Sequence, residues 1–156
     1  MIKENTPMLL CRVYDYKFND FIAKHIEVLE KYNEVWMLKS GKTISSTRLK
    51  SVLDSGGFII LKTPKRGSSK FYLCIVDKVS YTKPVNTNLY PDYYEQYMQE
   101  NGWSGQWFRI KSIYELTNED VNKLKMVVND KSVVDVVDRT QASFMYVTNK
   151  EELGMC

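Results

Sequence analysis

Histidine is all but missing from this chain: His25 is the single one in 156 residues. Cysteine is scarce too. Cys11, Cys74 and Cys156 form no CxxC and no short metal-binding spacing. Three thiols and one imidazole are poor material for a Cys/His zinc site, and an odd number of cysteines argues against a disulfide framework. The expected compartment is therefore the reducing cytoplasm. No apolar run reaches the roughly 18 residues that a membrane-spanning helix needs, so no membrane partner is expected. Met1-Ile2-Lys3-Glu4-Asn5 lacks the basic head and apolar stretch of a secretory leader. Internal repeats and low-complexity tracts are lacking as well.

The chemistry that is missing narrows the function. There is no phosphate-binding glycine loop, no GxSxG, no HExxH and no dinucleotide turn. Nucleophile-plus-histidine catalysis would have to use His25, which stands on a predicted helix without a partner cluster and reads as a partly exposed helix histidine. Asp15, Asp77, Asp92, Asp135 and Asp138 show no spacing that singles out a pair for acid–base work. No catalytic residue, metal or cofactor is expected.

What is present is aromatic. Eleven tyrosines and three tryptophans lift the aromatic fraction to 13%, which suits either a β-rich core or a recognition surface, since these rings join apolar area to a polar tip. Hydrophobic and charged fractions of 44% and 26% are those of a globular chain, and the length fits one domain. The net charge of +3 is compatible with nucleic acid without amounting to a strong footprint.

Periodicity gives the elements. Residues 7–16 open apolar and then alternate, with Leu10, Arg12 and Tyr14 set against Leu9, Cys11 and Val13, which predicts a strand. Asn19 is the expected N-cap of a helix over 20–31 whose apolar face includes Phe21, Ile22, Ile26 and Leu29. A buried strand over 35–38 carries Trp36 and runs into Lys39-Ser40. A short helix after Ser45-Ser46-Thr47 ends at Ser55-Gly56-Gly57. Residues 58–61 and 71–79 read as paired strands around a Gly-Ser loop. Residues 92–98 suit a short helix after Pro91, and 106–114 alternate cleanly as a strand. Thr117 caps a helix expected to run through Leu124 and Met126; a short helix over 132–137 and a strand over 142–147 follow. About six strands among short helices predict an α+β fold: a mixed or antiparallel curled sheet, or partly open β-barrel, with flanking helices.

Two features point to binding. Lys62, Lys65, Arg66, Lys70, Lys78 and Lys83 crowd one hairpin with only Asp77 against them. Such a hairpin can track phosphates by releasing counterions, or it can simply solubilise an edge strand. Tyr81, Tyr90, Tyr93, Tyr94, Tyr97, Trp103 and Trp107 gather around an irregular segment. Rings interleaved with basic charge serve unstacked bases, although any one ring can equally be core.

The order of several landmarks resembles the EVE domain of the PUA-like superfamily, a relative of YTH and ASCH domains. These are Val35-Trp36-Met37-Leu38-Lys39-Ser40; then Gly56-Gly57-Phe58-Ile59-Ile60-Leu61, where the family has Gly-Asp; then the strand over 74–80, followed by Tyr90-Pro91-Asp92. The strand from Trp107 to Tyr114 and the run from Arg139 to Thr148 complete them. The resemblance covers residues 34–153, so 34–156 would be the EVE/PUA-like domain and 1–33 an added strand and helix packed on it. It implies a cleft that holds a flipped or modified base, with Trp36, Lys39 and Ser40 as one wall. Tyr90, Tyr93, Trp103 and Trp107 are candidates for the other wall, and Lys65, Arg66 and Lys70 for phosphate contacts. The expected function is thus a non-catalytic nucleic-acid-binding module. The alternative is a non-enzymatic protein-binding factor, such as a small phage or mobile-element inhibitor, using the tyrosine-rich surface. A hydrolase or nuclease on the same barrel is the third reading.

Overall fold

Alternation along the first strand sets the architecture. The computed structural model describes residues 1–63, 69–103, 105–140 and 142–154. Strand β1 (Met8–Arg12) sends Leu9 and Cys11 to one side and Met8 and Leu10 to the other, and all four are buried. A strand buried on both faces belongs inside a sheet, and β1 lies there. It pairs in parallel with β3 (Phe58–Lys62) and antiparallel with β7 (Phe144–Asn149). The other elements are α1 (Phe21–Tyr32), β2 (Val35–Ser40), α2 (Ser46–Asp54), β4 (Phe71–Ser80), α3 (Tyr93–Asn101), β5 (Gly105–Glu115), α4 (Asn118–Val121), β6 (Leu124–Met126) and α5 (Val133–Val136). The strands form one seven-stranded mixed sheet in the order β2-β5-β4-β3-β1-β7-β6, not closed into a barrel. The expected α+β class is therefore present. No helix among the described residues is long and apolar enough to cross a membrane.

Three apolar clusters hold the sheet. The inner one joins Cys11 and Val13 to Met37, Ile59, Cys74 and Phe108, so β2 and the end of β1 face one interior although they share no ladder. The sheet must curl for this to happen. Helices α1 and α2 plug the interior through Phe21, Ile22, Leu49 and Val52. The second cluster covers the opposite face of β1 and β3 with Val121, Leu124, Val133 and Leu153. The third lies behind β2 and β5, where Trp36 and Trp107 meet Tyr90 and Tyr94.

Local chemistry explains the boundaries. Asp20, not Asn19, caps α1, accepting from the Ala23 N–H at 3.0 Å, while Asn19 closes a turn on the Tyr16 carbonyl. Thr117 caps α4 as expected, but that helix stops after four residues. Leu124–Met126 is a strand instead, because pairing with β7 at Leu124↔Asn149 and Met126↔Val147 overrides the good helical propensity of Leu, Lys and Met. Gly57 has φ +72°, and an added Cβ would lie 1.9 Å from the Val76 carbonyl oxygen, so close strand approach requires glycine there. Cys11 and Cys74 are buried free thiols.

Candidate functional site

The gap that the curled sheet leaves between the end of β1 and the free edge of β2 is a cleft of about 260 Å³. That is slightly below the roughly 300–1,000 Å³ of typical ligand pockets, a size for one ring system and its substituents. Residues 11–16 form one wall and Met37 to Ser40 the opposite one. Phe21, Ser143 and the tyrosines Tyr93, Tyr94 and Tyr97 complete it.

Strand alternation positions the first wall. Cys11 and Val13 face the inner core, leaving Arg12, Tyr14 and Tyr16 on the other side of the segment. Helix α3 brings Tyr93 and Tyr97 one turn apart on one face. The Tyr16 ring lies nearly parallel to Tyr93 (centroids 6.2 Å, interplanar 18°) and edge-on to Tyr97 (5.1 Å, 83°). Outside the cleft, Glu100 ties this corner down: it accepts from the Tyr16 hydroxyl and from Lys17 Nζ, and these bonds hold its carboxyl down to about 2.

The second wall is anchored through a directed chain of hydrogen bonds. The Phe21 carbonyl can only accept, so His25 Nδ1 carries the proton and donates to it at 2.7 Å. His25 Nε2 therefore accepts from the Tyr94 hydroxyl at 2.6 Å, and that hydroxyl accepts from the Leu38 N–H at 3.3 Å. His25 is fully buried and stacks on Phe21 with ring centroids 4.0 Å apart, correcting the expectation of a partly exposed histidine. Burial holds its pKa down to about 4, opposed only in part by the Phe21 bond, so the ring is neutral at pH 7.

Lys39 and Ser40 stand at the end of the β2 wall. Lys39 Nζ donates to the carbonyls of Ser40 (2.9 Å) and Lys42 (3.3 Å) and lies 5.2 Å from the Phe144 ring centroid. Its pKa is lowered by burial. Ser40 Oγ shares a 3.0 Å hydrogen bond with the Tyr97 hydroxyl, fastening α3 to β2. Two polar groups of the cleft residues have no hydrogen-bond partner among the described residues: Arg12, through buried Nε and Nη2, and Tyr93, through its buried hydroxyl.

The sequence-derived wall is thus divided. Lys39, Ser40 and Tyr93 come together in the cleft. Trp36, Tyr90 and Trp107 do not line it; they pack as core behind β2 and β5, with Trp107 fully buried and Tyr90 bonded to Glu95. Trp103 sits edge-on against Trp107 at 5.9 Å, half-exposed and away from the cleft. Lys70 is exposed and 3.8 Å from Glu115, while Lys65 and Arg66 lie outside the described residues. Lys62 is buried and pairs with Asp138 at 3.2 Å. Arg12, Tyr14, Tyr16 and Tyr97 are the cleft residues that sequence reasoning missed. The alternation of residues 10–14 and the i,i+4 spacing of Tyr93 and Tyr97 were the available signals.

Compared with protein-family models, curated proteins and solved structures, the chain matches none. The cleft must be read on its own chemistry. Among its lining residues, Cys11 is driven up to about 12 by burial, so it is no thiolate, and Asp15 accepts from the Phe21 N–H at 2.9 Å. The one cleft hydroxyl paired with an imidazole among the described residues is that of Tyr94, which is buried and spends its bonds on His25 and the Leu38 N–H. The arrangement can stack a ring, donate hydrogen bonds from Tyr93 and present positive charge from Arg12 and Lys39.

Proposed function

We propose that this chain is a non-catalytic nucleic-acid-binding module, EVE/PUA-like in plan, that takes one unstacked or modified base into the cleft between β1 and β2. The observation that carries the reading is the convergence of Tyr16, Tyr93 and Tyr97 with Lys39 and Ser40 around a cleft the size of one ring system. Aromatic faces stack on any base, and donors within the cleft choose among base edges. The first 16 residues contribute a wall of the site, so the strand that precedes the EVE-like region belongs to the binding machinery in this reading.

The test is fluorescence anisotropy with single-stranded oligonucleotides, unmodified and base-methylated, over a salt series. The logarithm of the affinity falls linearly with log salt, as counterion release requires. Tyr97→Ala weakens binding about 5- to 150-fold, the loss of roughly 1–3 kcal/mol of stacking. Tyr97 is a better probe than Trp36, whose removal would hollow out the packing behind β2. No binding at low salt to any oligonucleotide refutes the proposal.

One observation favours the second reading, a protein partner. Phe18 is fully exposed at a turn next to Tyr16, and Tyr14 is 63% exposed, so two large rings are presented to solvent beside the cleft. Aromatic residues of this kind anchor protein interfaces. Salt-insensitive association with a protein, lost in Phe18→Ser, would replace the nucleic-acid reading.

A further inference from the structure

We infer that Arg12 is the anion-binding residue of the cleft, holding a carboxylate or phosphate carried by the base or nucleotide that the tyrosines enclose. This rests on the binding reading above and adds the charge class of the ligand. The argument comes from a comparison inside the molecule. Arg109 presents Nε and Nη2 side by side to the two oxygens of Asp77, at 2.8 and 3.0 Å. These are the same two nitrogens that Arg12 leaves buried and without a hydrogen-bond partner among the described residues. The fork geometry of a guanidinium matches two coplanar oxygens, so what Arg12 lacks has the shape of an oxyanion.

The protein does not supply that oxyanion from its described residues. Asp15 is engaged with the N-terminus of α1. Glu100 is held by Tyr16, Lys17 and Gln96. Asp138 pairs with Lys62. An arginine does not lose its proton in proteins, so its charge persists, and a buried charge without a counter-ion is unfavourable. Lys39 adds to the excess, because it donates only to carbonyls and gains no carboxylate. Among the cleft's lining residues two cations face one carboxylate. An occupant with its own negative charge supplies the counter-ion that Arg12 lacks, and a neutral ring does not.

The oxyanion has two sources, the nucleotide's phosphate or a carboxyl group on the base, and calorimetric titration separates them. A phosphate source makes a nucleoside 5′-monophosphate bind at least about tenfold tighter than its nucleoside, the scale of a charge-assisted bidentate pair. A carboxyl source gives the same preference to an oligonucleotide with 5-carboxycytosine over one with cytosine. Either preference disappears in Arg12→Gln and is only partly recovered in Arg12→Lys, which lacks the fork. If neither preference exists, or if Arg12→Gln keeps it, the inference is overturned while the base-binding reading stands on its own oligonucleotide data. If no oligonucleotide binds, that reading fails, and the anion site is judged separately by thermal shift with phenyl phosphate and benzoate. Stabilisation of the natural protein but not of Arg12→Gln upholds the site, and equal shifts or none overturn it. Arg12→Met controls for folding: removing an unpaired buried charge should leave the unliganded melting temperature unchanged or raised.

Discussion

Acidification should destabilise this protein through His25 before its carboxylates titrate. The ring's pKa is about 4 in the fold against an ordinary 6.5. Because the folded value is depressed, the unfolded chain binds the proton more tightly, and stability falls as pH drops from 6.5 toward 4. Full passage through that window removes about 3 kcal/mol, and the step from pH 7 to pH 5 alone removes about 2 kcal/mol. His25 is the only histidine, so the upper part of the window is its own. Asp77 and Glu100, whose pKa values are lowered by bonds to Arg109 and to Lys17 and Tyr16, lose their contributions at lower pH. The groups that face the ring are Phe21 and Tyr94, and neither offers a negative charge to an imidazolium. Urea denaturation at pH 7, 6 and 5 measures the slope, and His25→Gln supplies the control without a titrating ring. A natural protein whose stability stays flat between pH 7 and 5, or a slope that persists in His25→Gln, would refute the burial argument.

Two other substitutions test the backbone. Lys17 and Phe18 both have positive φ, 46° and 69°, and the Phe18 side chain is fully exposed. Phe18→Gly should therefore raise stability by up to about 1 kcal/mol as left-handed strain is relieved; a loss in urea midpoint would show that the ring has a packing role. Gly57→Ala should cost at least about 2 kcal/mol, because its Cβ would drive into the Val76 carbonyl. A melting temperature unchanged within error would show that β3 and β4 can separate freely there.

Much of the sheet was legible because alternation marks it. In β5, Trp107 and Arg109 fall opposite to Phe108 and Ile110, and the β3–β4 pairing followed from two apolar runs around a polar loop. What alternation cannot say is which face will be cleft and which core. Trp36 points behind the sheet with Trp107, whereas Met37 points into the curl, and only the packing of α3 decides that the tryptophan side is covered. His25 occupies the i+4 position from Phe21 and so shares its buried face, yet its hydrogen-bond partner Tyr94 is 69 residues away in sequence. The same holds for the cleft: Lys39, Ser40 and Tyr93 were readable as polar or aromatic residues near strand and helix ends. Arg12 acquires its significance only when the end of β1 is brought opposite β2.

The central position of β1 also carries a consequence for how the site comes into being. Strand β1 is the single link between the β2-β5-β4-β3 ladder and the β7-β6 ladder, and β7 is the last strand of the sheet to be synthesised. Until residues 144–149 emerge from the ribosome, β1 has one bare edge, and Ser143 is not there to accept the Arg12 N–H that fixes that wall. Pairing over such sequence distances is slow to form. A chain stopped short of β7 can still curl its first ladder, but it leaves the β1 wall of the cleft without its outer support. The cleft in this architecture is therefore completed late in the assembly of the sheet, when β1 and β7 meet.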